Sequence, residues 1–190
     1  MQRNVLLAGA MALFAAGLAH GKECKGVNFP GQVQVAGSTL ALNGLGLRQA
    51  TVFKVNVYVA ALYLAKTSND ANAILASTAP KELVLQFVRN VSAEDIAKGW
   101  NEGFEKSAKG ELPALKDRIA MVNGWMTDVK SGERLTFVYA PGAGVEVNVN
   151  GTVKGTVKGD DFAKAFFAIW LGAEPPNPEI KSGLLGGACG

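Results

Sequence analysis

The sequence predicts an α+β domain, an antiparallel sheet with helices layered on one face. Three observations lead there. Segments rich in β-branched and aromatic residues lie toward both ends of the chain, over 32–65 and 134–157. Amphipathic helical patterns fill the middle, over 92–123, and the end, over 160–185. No repeat, low-complexity tract or linker divides the chain, so these elements share one core.

Gln32–Asn43 reads as two short strands turned at Gly37-Ser38. The glycine-rich stretch Gly44-Leu45-Gly46-Leu47-Arg48-Gln49-Ala50 then runs into Thr51–Ala65, TVFKVNVYVAALYLA. Few breakers and many Val and Tyr residues make this one long strand, buried on much of both faces. Ser68-Asn69-Asp70 offers an N-cap for a short helix to Ser77, closed off by Pro80. Leu83–Arg89 is a strand. Ser92, with Asp95 three residues on, opens a helix whose Ile96, Trp100 and Phe104 form an apolar stripe opposite Glu94, Lys98, Glu102 and Glu105. A second helix, Pro113–Asn123, buries Leu115, Ile119 and Val122 by the same spacing.

The last third returns to β. Arg134–Ala140 is a strand, and Val145, Val147 and Val149 alternate with polar residues, so one face packs and the other meets water. Asn150-Gly151 supplies a tight hairpin into Thr152–Val157. Asp160 or Asp161 caps a helix that turns Phe162, Phe166, Ile169 and Trp170 inward and ends at Gly172. Pro175-Pro176 and a short helix near Glu179–Leu185 close the chain.

The N-terminus predicts export. One positive charge at Arg3 precedes an apolar run from Val5 to Ala19, too short to span a bilayer, and small residues follow at the cleavage positions. Residues 1–21 therefore read as a signal peptide and 22–190 as one soluble domain of the periplasm or the secreted space. Removing Arg3 takes 19 basic residues to 18 against 16 acidic, so the formal charge of +3 becomes +2. That balance, without a basic stripe, speaks against nucleic acid as a partner. Cys24 and Cys189 stand at the two extremes of the mature chain, and in an oxidising compartment they are expected to form one disulfide. The lone histidine, His20, lies at the cleavage site, which removes histidine triads and histidine–metal chemistry; no metal or other cofactor is expected.

Three segments, quoted as they stand, resemble the chalcone-isomerase family. LNGLGLRQATVFKVNVYVAALYLA is similar to the opening of that fold, where a Gly-rich turn and an arginine precede a long strand. QFVRNVSAEDIAKGWNEGF resembles the family's strand and long ligand-side helix, and FAKAFFAIWLGAEPPNPEIKSGLLG its closing helices. The resemblance implies an open-faced β-sandwich, a large sheet covered on one side by helices with an apolar cleft between. It also implies two branches, one catalytic and one binding fatty acids, both keeping an arginine that matches Arg48. Tyr58 aligns where the isomerases carry threonine, and a tyrosine with that arginine resembles the branch that grips a carboxylate. The isomerases carry tyrosine, lysine and asparagine on the long helix; the matching positions here are Ile96, Gly99 and Gly103, none of which handles a proton.

The residues alone leave Arg48 two roles: an ion pair with a local carboxylate or an extension to solvent, or the gripping of an anion by its planar fork. Trp100 and Phe104 either line the cleft or belong to the core, and Tyr63 faces away from Tyr58 by strand parity. The expected function is a non-catalytic protein holding a fatty acid or similar amphipathic carboxylate, with Arg48 and Tyr58 at the head group. Two alternatives stay open. One is an isomerase or lyase of the same fold acting on an enone or phenolic substrate. The other is a structural or partner-binding protein whose cleft is filled by its own side chains.

Overall fold

The computed structural model describes residues 21–35 and 37–190. The predicted leader, apart from Gly21, lies outside the described residues. Among them no helix is long and apolar enough to cross a membrane. Seven strands form one antiparallel meander in chain order: β3 (Gln32–Val35), β4 (Ser38–Ala50), β5 (Val55–Leu64), β6 (Lys81–Phe87), β7 (Arg134–Ala140), β8 (Gly144–Val149) and β9 (Thr152–Val157). A separate hairpin, β1 (Lys22–Cys24) with β2 (Val27–Phe29), precedes them. The helices are α1 (Ala71–Ala76), α2 (Ala93–Ser107), α3 (Leu112–Gly124), α4 (Asp160–Leu171) and α5 (Pro178–Leu184).

The sheet divides its side chains by parity. Tyr58, Ala60, Leu62 and Leu64 of β5 join the cluster under the helices, with Phe137 of β7 and the aromatic face of α4. Val59, Ala61 and Tyr63 point the other way, onto Leu40, Leu45 and Leu47 and the β1–β2 hairpin. Tyr63 thus lies opposite Tyr58, and its hydroxyl donates to the Pro30 carbonyl at 2.9 Å. The hairpin is tied to the far end of the chain by the Cys24–Cys189 disulfide, with Cα atoms 6.0 Å apart.

Capping follows the sequence closely. Asp70 Oδ1 accepts from the N–H groups of Asn72 and Ala73 at the start of α1, and Ser92 Oγ accepts from Asp95 N–H at the start of α2. Asn150 and Gly151 turn β8 into β9 with positive φ at both residues, as a two-residue hairpin requires. At α4 the cap is Gly159, not an aspartate; Asp160 and Asp161 sit in the first turn, where their charge favours the helix N-terminus.

Two expectations are corrected. Thr51–Ala65 is not one strand. Residues 51–54 form an exposed turn, and the Ala50–Val55 pair closes the ladder between β4 and β5. The glycine-rich stretch is not a turn either: it lies inside β4. A Cβ on Gly44 would come within 2.7 Å of the Leu184 carbonyl oxygen, and one on Gly46 within 2.8 Å of the Ile180 side chain. Glycine there lets the α5 backbone lie directly on the strand.

Candidate functional site

Arg48 and Tyr58 are register partners across the β4–β5 ladder, so their side chains leave the same, helix-covered face of the sheet. Arg48 is half-buried. Its guanidinium donates to the carbonyl oxygens of Gln49 and, at 3.4 Å, Pro176. Among the described residues it has no carboxylate partner; the ion pair they contain is Arg118–Asp161, on the surface at the start of α4. Tyr58 is 8% exposed, and its hydroxyl oxygen accepts from Trp170 Nε1 at 2.9 Å. Burial raises the phenol above its ordinary pKa, while the Trp170 N–H and the Arg48 charge pull in the opposite direction.

Trp170 links this pair to the helices. Its ring meets Trp100 of α2 edge-on, with centroids 5.5 Å apart, and Trp100 stands edge-on to Phe137 at 5.7 Å. Trp100 Nε1 is buried and has no hydrogen-bond partner among the described residues. Such an orphan donor costs about 1–3 kcal/mol against one that is paired. Phe104 is placed elsewhere: it is fully buried against Phe162 and Phe166, with centroids at 5.6 and 6.1 Å. Of the four residues expected at the ligand, Arg48 and Tyr58 therefore adjoin, Trp100 stands one indole away, and Phe104 packs in the core beyond.

Other helix positions explain themselves. Ile96 faces the core, Gly99 faces solvent, and a Cβ on Gly103 would meet Ile169 of α4 at 2.7 Å. Gly103 thus sets the close crossing of α2 over α4. Trp170 and the α4–α5 connection were not anticipated as parts of the site. Asn177 Oδ1 accepts from Gln49 N–H at 3.2 Å and its Nδ2 donates to the Leu47 carbonyl at 3.1 Å, which pins that connection beside Arg48. The one available signal was Trp170 itself, since a buried indole N–H seeks an acceptor.

Two cavities lie away from this pair. One, of about 380 Å³, runs along α3 past Asn101 and Ile119. The other, of about 310 Å³, sits beneath α1, lined by Leu64, Ile74 and Lys81. Lys81 is buried, and its Nζ donates to the carbonyls of Ile74 and Ser77 at 2.9 and 2.7 Å. Burial lowers its pKa to about 8, with Asp160 pulling it back. The lysine closes the C-terminal end of α1, a role its sequence position did not betray.

Comparison with known proteins agrees with this architecture. A structural neighbour is a fatty-acid binding protein from Arabidopsis thaliana, at a TM-score of 0.65 and 15% identity, covering 84% of this chain and 92% of the other. No curated protein sequence matches. The family model described as chalcone isomerase-like matches residues 21–186. The chain belongs to the chalcone isomerase-like family.

Proposed function

We propose that the protein is an exported, non-catalytic member of its family that binds a fatty acid or similar amphipathic carboxylate, with Arg48 and Tyr58 at the head group. The observation that carries this reading is a half-buried guanidinium, without a carboxylate partner among the described residues, directly across the ladder from a buried phenol. A planar fork of that kind suits a bidentate carboxylate. The unpartnered Trp100 Nε1, one ring away from Trp170, supplies a further donor for an oxygen-rich head. The fold shared with a fatty-acid binding protein supports the ligand class. Export rests on the predicted leader and on the disulfide, a bond at home in an oxidising compartment.

The enzymatic alternative asks for a second titratable group beside Tyr58. Its hydrogen-bond partner is instead the indole of Trp170, which does not titrate. A filled, partner-binding core is favoured by one observation: Trp100, Trp170, Phe137 and Phe166 are each at most 5% exposed and touch ring to ring beneath the helices. A long tail therefore enters only when α2 and α4 part around the Trp100–Trp170 contact. Native mass spectrometry of protein purified from its own compartment, with and without Arg48→Ala, separates the readings. A co-purifying carboxylate lost in the variant is the expected result. An empty parent protein that also refuses long-chain acids after delipidation overturns it and leaves the filled core.

A further inference from the structure

The turn between β4 and β5 carries Val52 and Phe53 with 91% and 86% of their surface exposed, well beyond Val153 at 53% and Met121 at 46%. Hairpin turns ordinarily select Gly, Asn, Asp or Ser. This one reads Thr-Val-Phe-Lys, and Thr51 and Lys54 adopt φ of +62° and +50°. A β-branched residue at such a φ is strained, and strain of this kind persists where the surroundings hold it. Folding alone gains nothing from a strained turn that shows two large apolar side chains to water.

The stem beneath the tip is stiff. Gln49 Nε2 donates to the Lys54 carbonyl at 3.2 Å and to Asn56 Oδ1 at 3.0 Å, while the Gln49 N–H is held by Asn177. Arg48 lies three residues before the turn and Tyr58 four after it, roughly 10–13 Å along the strands at about 3.3 Å per residue. The apolar tip thus stands at the same end of the sheet as the candidate head-group site, with the exposed Lys54 at its base.

We propose that the Val52–Phe53 tip inserts into a lipid surface and seats the protein on an anionic bilayer with the Arg48–Tyr58 end of the sheet toward the head groups. Two side chains fall far short of the roughly 800 Å² per partner of a stable protein interface. They suit an interfacial insertion of about 5–10 Å, and Lys54 at the base adds attraction to anionic lipid, offset in part by Glu179, which lies within reach of its charge. The purpose, collecting or delivering an amphiphile at the leaflet, rests on the binding function proposed above; the docking itself does not.

The test is co-sedimentation at low salt with vesicles of phosphatidylglycerol and phosphatidylcholine, comparing the parent with Phe53→Asp. Both proteins are taken as the mature chain beginning at Lys22, so the apolar stretch at 5–19 takes no part. Loss of one exposed aromatic anchor to a charge weakens partitioning roughly tenfold or more, with the melting curve unchanged. A Phe53→Trp variant reports position: its added emission shifts to the blue and is quenched by brominated lipid, over the background of Trp100, Trp125 and Trp170. Equal sedimentation of parent and Phe53→Asp overturns the proposal. So does added emission from the Phe53→Trp variant that ignores brominated lipid, or a parent that dimerises through the tip without binding vesicles. Vesicle docking that survives in a protein unable to take up long-chain acids sinks only the earlier ligand reading.

Discussion

The packing of α5 on β4 gives the sharpest test of how this chain folds. At Gly46 an added Cβ meets the Ile180 carbonyl and, at 2.8 Å, the Ile180 side chain. The nearest obstacle is backbone, so no rotamer change relieves it. Overpacking typically costs about 1–3 kcal/mol, and a backbone clash belongs at the upper end. Gly46→Ala is therefore expected to destabilise by about 3 kcal/mol. For a chain of this size that lowers Tm by roughly 6–12 °C. Gly99, on the solvent face of α2, has nothing within 4 Å of its added Cβ. Gly99→Ala is expected to stabilise by about 0.5–1 kcal/mol through helix propensity alone. Urea and thermal unfolding, followed by circular dichroism with the disulfide intact, read both. A Gly46→Ala protein within about 0.5 kcal/mol of the parent refutes the close-approach account, as does any destabilisation by Gly99→Ala.

Two further perturbations follow from buried groups. Glu82 lies on the sheet face away from the long helices, opposite Tyr63, and burial raises its pKa from 4.5 to about 7. The folded state therefore keeps the proton to higher pH than the unfolded chain, and this group's contribution to stability falls as pH rises from about 4.5 to about 7, then levels off. Glu82→Gln should flatten that slope and stabilise by about 2 kcal/mol at pH 8, after a discount for residual solvent contact, with little change at pH 4. A parallel pH profile in parent and variant contradicts the assignment. The disulfide closes a loop of sequence separation 165, for which the chain-entropy account allows up to about 5 kcal/mol. Replacing Cys24 and Cys189 together by Ser should lower the denaturation midpoint and raise the slope, since the unfolded chain without the cross-link exposes more surface. A midpoint that does not move would show the bridge to be ornamental.

What was legible in the sequence was what depends on local chemistry. Strand parity put Tyr58 and Tyr63 on opposite faces, as observed, and Ser92 and Asp70 announced their helices by side chains that cap nearby amides. The β4–β5 turn escaped because Thr51–Lys54 carries none of the residues that turns select; a β-branched, apolar run reads as strand. The glycines of β4 were misread for the converse reason. Gly44 and Gly46 look like turn formers, yet their role is set by a helix that arrives more than 130 residues later. Arg48 and Tyr58 were found through a family resemblance, and their pairing follows from register. Their partners were not, since Trp170 stands 112 residues from Tyr58 and Pro176 stands 128 from Arg48.

The chemistry of the pair favours holding over transforming. Around the Tyr58 hydroxyl the available groups are donors: the Arg48 guanidinium, the Trp170 N–H already bound to the phenol oxygen, and the buried Trp100 N–H one ring farther. Donors of this kind stabilise an oxyanion wherever it sits, in a bound carboxylate as well as in a transition state. Proton transfer needs more: a group that accepts a proton near neutral pH within hydrogen-bond reach. Tyr58 could serve only as phenolate, and burial pushes it away from that form. Of the three matching helix positions, Ile96 packs in the core, Gly103 is closed against Ile169, and Gly99 faces solvent on the side of α2 away from Tyr58. Any larger side chain at Gly103 would force α2 away from Ile169 of α4, so this close helix crossing leaves no room for a reactive group at that position.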